Sequence, residues 1–155
     1  MSVKSLFYLS LFAITFIACS DSTPKQNTMP PKPLPEFDWQ GHRGARGLVP
    51  ENTVPAFLKA LSLNVRTLEM DAAISQNGDV IISHEPWFSH EISTTPDGQE
   101  VSDENEKNYL LHQMTTEDIQ AFDVGSRGNA RFPEQQKMTI HKPTLNEVVG
   151  SVNSN

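Results

Sequence analysis

A single cysteine in 155 residues removes two architectures at once. No internal disulfide framework can form, and neither can a zinc site built from several thiolates. Positive charge is also scarce. Twelve Lys and Arg stand against 19 Asp and Glu, a formal charge of −7. Sequence-independent nucleic-acid binding needs a basic face, so no nucleic-acid partner is expected. A small anionic ligand stays open, because one local arginine can meet it. A long apolar run is missing too. The stretch after Lys4, from Leu6 through Ile17, is too short and too soon followed by polar residues for a comfortable membrane span. It fits the apolar region of a secretory signal. The length allows one domain with a modest core.

The apolar run ends Phe16-Ile17-Ala18-Cys19-Ser20. This resembles a bacterial lipobox, in which a small residue before the cysteine permits cleavage and the thiol carries lipid. The resemblance implies a lipoprotein signal peptide over 1–18, lipidation at Cys19, and a lipid-anchored protein of the bacterial cell envelope, on its periplasmic or outer-surface face. Residues 19–36 are polar and hold Pro24, Pro30, Pro31, Pro33 and Pro35, with no apolar period. Proline fixes φ and lacks a donor, so this stretch reads as an extended tether.

The globular region is 37–155. A first strand is expected over 37–42, ending at Gly41 and Gly44, where glycine permits positive φ and close approach of the backbone to a ligand. Pro50-Glu51-Asn52-Thr53 then opens a helix whose apolar stripe is Ala56, Phe57, Ala60, Leu61 and Leu63. Asn52 or Thr53 is the expected N-cap, Pro55 pins the first turn, and Asn64 closes the end. A second strand over 65–74, the turn Gln76-Asn77-Gly78-Asp79 and a short strand over 80–84 follow. The turn is too short for a parallel crossover, so a hairpin is expected. Residues 86–112 read as an inserted excursion, with a turn at Thr95-Pro96-Asp97-Gly98 and a solvated charge run at Asp103-Glu104-Asn105-Glu106-Lys107. A short helix over 117–122 is capped by Thr115 or Thr116, and another begins at Pro143-Thr144.

Three stretches carry chemistry. Gly41-His42-Arg43-Gly44 sets a histidine and an arginine among glycines, which suits phosphate. Glu69 and Asp71, at i and i+2 of a strand, point to one side, while Leu68 and Met70 point to the other. Paired carboxylates suit a divalent cation. Ser83-His84-Glu85 closes the next strand. Alone, His42 reads as a core or turn histidine, and the two carboxylates as a solvated strand face. The apolar flanks of Glu69 and Asp71 favour a strand end at a barrel mouth. Glu51 and Asn52 read equally as helix-start braces or substrate contacts, and Glu85 as a supporting carboxylate. His90, His112 and His141 are expected on the surface, and Trp87 and Phe88 packed under the insertion.

Taken in order, His42-Arg43-Gly44, Pro50-Glu51-Asn52-Thr53, Glu69-Met70-Asp71, Asn77-Gly78-Asp79-Val80, His84-Glu85, Asp123-Val124-Gly125-Ser126 and Pro143-Thr144-Leu145 resemble the N-terminal part of the glycerophosphodiester phosphodiesterase family. The resemblance implies an α/β fold, a TIM-type (β/α)8 barrel of the PLC-like phosphodiesterase type, truncated in this chain. It implies metal-dependent hydrolysis of a small glycerophosphodiester substrate to glycerol 3-phosphate and an alcohol. In that scheme the substrate's own glycerol hydroxyl attacks first, and water opens the cyclic phosphate. His42 and His84 would be the acid–base pair and Arg43 the phosphate contact. Glu69 and Asp71 would hold calcium or magnesium, with a third carboxylate on a later strand. His84-Glu85 stands where the family usually has His-Asp. A barrel takes roughly 250 residues, so an incomplete fragment, poorly stable and inactive, is expected. A surface lipoprotein that binds a phosphate ester or a partner without catalysis is the competing expectation.

Overall fold

The computed structural model describes residues 37–155. The signal peptide, the Cys19 lipidation site and the tether expected before them lie outside the described residues.

The architecture begins with a β–α–β unit. Strand β1 is Gln40–Gly41, helix α1 is Val54–Ser62, and strand β2 is Thr67–Leu68. The two strands pair in parallel, Gln40 with Thr67 and Gly41 with Leu68. Glu51, Asn52 and Thr53 precede the helix, which starts where the expected cap at Asn52 or Thr53 puts it. Thr53 is the N-cap and accepts from Ala56 N–H through its side chain, with Pro55 in the first turn. Asn64 lies past the helix end with φ 61°, the left-handed conformation that ends helices. Leu63 leaves the apolar stripe and is exposed.

The glycines of the first loop serve packing. A Cβ on Gly41 would stand 2.9 Å from the Ala60 Cβ, and one on Gly44 2.7 Å from the Ala56 backbone. The close approach expected toward a ligand is therefore toward α1. Gly44 also has φ +76°, so it meets both demands that only glycine satisfies cheaply.

The second strand expected over 65–74 is broken. After β2 the chain leaves the ladder at Glu69, Met70 and Asp71 and resumes as β3, Ala72–Ile74. Strand β4, Val80–Ile82, returns antiparallel, Ala72 opposite Ile82 and Ile74 opposite Val80. This is the expected hairpin, turned at Gly78 with φ 89°. Both faces of β4 are covered. Ile81 belongs to a core with Phe88, Leu111, Ile119 and Phe122, and Ile82 packs with Phe57 and Val148. That explains why the strand reads as a continuous apolar run instead of alternating. The large apolar side chains left exposed include Phe37 and Trp39, before β1.

The excursion over 86–112 is built from turns and two short 3₁₀ segments, Glu106–Asn108 and Leu111–Gln113. The charge run within it is not all solvated, because Glu106 is buried. Helix α2, Thr116–Gln120, and helix α3, Leu145–Asn153, each start with a capping box, Thr115 with Asp118 and Thr144 with Glu147. No helix among the described residues is long and apolar enough to cross a membrane.

Candidate active site

The loop after β1 supplies His42 and Arg43. Arg43 has φ 52°, uncommon for a side chain of its size. In that conformation its backbone N–H donates to Glu69 Oε2 at 2.6 Å, and its guanidinium Nη1 donates to Glu51 Oε1 at 2.6 Å. Its Nε lies 3.3 Å from Asp71 Oδ2. Arg43 is buried, so the arginine expected to meet phosphate is also the strut that ties three carboxylates together. Glu51 takes a second cation, Arg46, at 3.0 Å. Asn52, at φ 55°, donates from Nδ2 to Asp71 Oδ2 at 2.9 Å. Both residues brace the loop, as one of the two readings of their sequence expects.

Glu69 and Asp71 share a side, as the strand alternation predicts, while Leu68 and Met70 pack on the Phe57–Ile82–Val148 core. Between β2 and β3 the backbone keeps single bonds to both neighbours, Glu69 N–H to Gly41 O and Ser83 N–H to Asp71 O, each at 3.0 Å. Glu69 and Asp71 each keep one oxygen, Oε1 and Oδ1, with no protein partner among the described residues. Two half-exposed hard oxygen donors on one side are suitable chemistry for calcium or magnesium. His42 Nε2 stands 4.0 Å from Glu69 Oε2.

His84 arrives from the hairpin. Extending the β3–β4 register places Ser83 opposite Asp71, and Ser83 N–H donates to Asp71 O at 3.0 Å. The His84 Nδ1 lies 2.5 Å from Glu85 Oε1. A carboxylate at Nδ1 holds the proton there and leaves Nε2 for proton transfer. His84, Glu85 and Arg43 line one cavity of about 220 Å³, whose far wall is the excursion, with Trp87, His90 and Glu106.

Two groups here were not singled out in the sequence. Lys142 is buried against the back of the site, and its Nζ donates to Ser83 Oγ at 2.7 Å. Burial pushes its pKa down to about 8, although Glu85 and Glu51 pull it upward. A lysine directly before a proline and a helix cap gives no sequence signal of burial. The second is Glu106, which lies buried under His90. His90 donates to its Oε2 from the backbone at 3.1 Å, with Nδ1 2.8 Å away. His90, assigned to the surface from sequence, is half exposed and raised above the usual histidine pKa, first by the Glu106 hydrogen bond. His90, Asp103 and Glu106 bring three ligand-type atoms within 4.8 Å of one another; no other such group occurs among the described residues. Glu69 and Asp71 are thus not joined by a third ligand in the described residues.

A β–α–β start whose strand ends carry paired carboxylates, two histidines and an arginine fits the opening of a (β/α)8 barrel. The chain belongs to the glycerophosphoryl diester phosphodiesterase family, whose profile matches residues 42–155. It is 28% identical over 151 residues to the glycerophosphodiester phosphodiesterase of Bacillus subtilis strain 168, covering 95% of this chain and 46% of that one. A solved structure from Silicibacter pomeroyi DSS-3, assigned to the glycerophosphoryl diester phosphodiesterases, superposes with a TM-score of 0.69 at 32% identity, over 76% of this chain and 41% of that one. The fold alone is shared with a phosphodiesterase of Oleispira antarctica solved with the product sn-glycerol-3-phosphate, at TM-score 0.55 and 22% identity over 76% of this chain and 40% of that one. The chain spans about half the length of these relatives or less.

Proposed function

We propose that the protein hydrolyses glycerophosphodiesters to glycerol 3-phosphate and an alcohol, with His42 and His84 as its acid–base pair. The observation that carries this reading is the convergence on Arg43. Its backbone and guanidinium collect Glu69 and Asp71, and its side chain shares a cavity with His84. A divalent cation held by Glu69 and Asp71, calcium or magnesium, would supply positive charge against the phosphate oxygens. The side chains do the rest. Arg43 keeps the two carboxylates in place and adds a fixed cation to the cavity wall. Glu85 orients the His84 ring and sets its tautomer. One imidazole takes a proton from the attacking hydroxyl while the other gives one to the departing alkoxide. The test is chelation of the protein at its natural length. Activity should vanish and return with calcium or magnesium. Glu69→Gln and Asp71→Asn should each weaken the metal response without unfolding the protein; full activity in either would remove that residue from the site.

We also propose that Cys19 is lipidated after loss of residues 1–18, which would hold the enzyme on an envelope membrane through a Pro-rich spacer. The lone cysteine at the end of the apolar run supports this. Cys19→Ser should release the protein from the membrane fraction, and unchanged attachment would refute the anchor.

A further inference from the structure

Lys142 is a buried cation that the acid–base scheme does not use. The segment that carries it runs antiparallel beside β4. Ile81 bridges to Thr144, and Ile82 N–H donates to Pro143 O at 2.8 Å. Carried one residue further, that register sets Lys142 beside Ser83, and its Nζ donates to Ser83 Oγ at 2.7 Å. Ser83 is held from the other side as well, since its N–H donates to Asp71 O at 3.0 Å. Its hydroxyl donates to Glu85 O at 2.6 Å, across the bend that the chain makes at His84, Glu85 and Pro86.

The ammonium gives this relay a direction. It can only donate, whereas a hydroxyl carries one proton and also accepts. With Lys142 charged, Ser83 Oγ accepts from it and commits its single proton to Glu85 O. That bond closes the bend on which the His84 Nδ1 and Glu85 Oε1 meet at 2.5 Å. A neutral amine accepts, so loss of the Lys142 proton frees the hydroxyl to turn away from Glu85. Lys142 itself gains little. Ser83 Oγ is its one hydrogen-bond acceptor among the described residues, and the Phe88 ring lies 5.2 Å away. The charges that favour its protonated form are Glu85 and Glu51, and Glu51 is already met by Arg43 and Arg46. A buried ammonium so sparsely compensated costs stability, and methionine would fill the same space without that cost.

We infer that Lys142 is a positioning residue for the acid–base pair: through Ser83 it fixes the His84–Glu85 bend in the geometry that proton transfer needs. The inference rests on the proposed diesterase reading.

The test is steady-state hydrolysis of a glycerophosphodiester by the natural-length protein with calcium or magnesium, in Lys142→Met, Ser83→Ala and the double variant. Lys142→Met should lower kcat about tenfold or more and leave KM within about twofold, because alignment is lost and substrate contacts are kept. Denaturant unfolding at pH 7 should find it no less stable than wild type, which separates lost positioning from lost fold. Ser83→Ala keeps the lysine and should show the same loss of kcat. The double variant should lose no more than the worse single one, because both break one relay. Wild-type kcat should fall as pH rises through about 8, where burial brings the Lys142 pKa, and Lys142→Met should lack that fall. A wild-type kcat in Lys142→Met, an unchanged pH profile, or losses that multiply in the double variant overturn the positioning role and leave the diesterase reading intact. Absence of turnover in the wild type overturns both.

Discussion

Arg43 sits in the left-handed region and spends its donors on carboxylates from two other segments. Such strain persists only where the surroundings over-determine it, and such residues cluster at working sites. The sequence made His42, Arg43, Glu69, Asp71 and His84 legible because their types and order are unusual together. It did not reveal that Arg43 is a brace as well as a phosphate candidate, since ion pairs between distant residues leave no local pattern. Lys142 was invisible for a related reason, as burial of a lysine is decided by what folds over it. Its consequence can be measured. A lysine whose pKa falls to about 8 in the folded state, against 10.5 otherwise, is held partly against its preference for charge. Between those values the unfolded chain binds the proton and the folded chain does not, so stability rises with pH. Below pH 8 the penalty is complete; above 10.5 it is gone. The charges facing Lys142 are Glu85 and Glu51, and both favour its protonated form. Denaturant unfolding from pH 8 to 10.5 should show wild type gaining up to about 3 kcal/mol relative to Lys142→Met. A flat difference would mean that the ammonium stays charged in place.

Among elements, the hairpin β3–β4 matters most, because its register sets Ser83 against Asp71, one residue before His84. Its turn was readable from Asn77-Gly78, and the antiparallel sense from the shortness of the turn. The break between β2 and β3 was not, because the alternation of Glu69 and Asp71 fits an unbroken strand equally well. Helix α1 was readable in its stripe and in its cap, which is Thr53, while Asn52 reaches instead for Asp71. The two loop glycines give a sharp comparison. Gly44 and Gly78 both have positive φ, but a Cβ on Gly44 strikes the α1 backbone, while one on Gly78 meets nothing within 4 Å. Gly78→Ala should cost about 1 kcal/mol of unfolding free energy from backbone preference alone, and Gly44→Ala clearly more. Equal losses in thermal unfolding would show that α1 yields easily, against the close packing described.

At the scale of the whole molecule, the excursion over 86–112 is a wall of the site. It packs Phe88 and Leu111 beneath it and presents Trp87 and Glu106 to the cavity. Sequence polarity marked it as an insertion, and its irregular period hid that function. The (β/α)8 class was legible through the ordered motifs, not through periodicity. The central claim is that His42 and His84 are the acid–base pair of diester hydrolysis. Phosphorus NMR of a glycerophosphodiester incubated with the natural-length protein and calcium or magnesium tests it most directly. The account predicts glycerol 3-phosphate as the phosphorus product, with rates falling about 10²–10⁴-fold in His42→Ala and in His84→Ala, and little change in His112→Ala. Release of the phosphate with the other alcohol, or equal losses in all three variants, would contradict it.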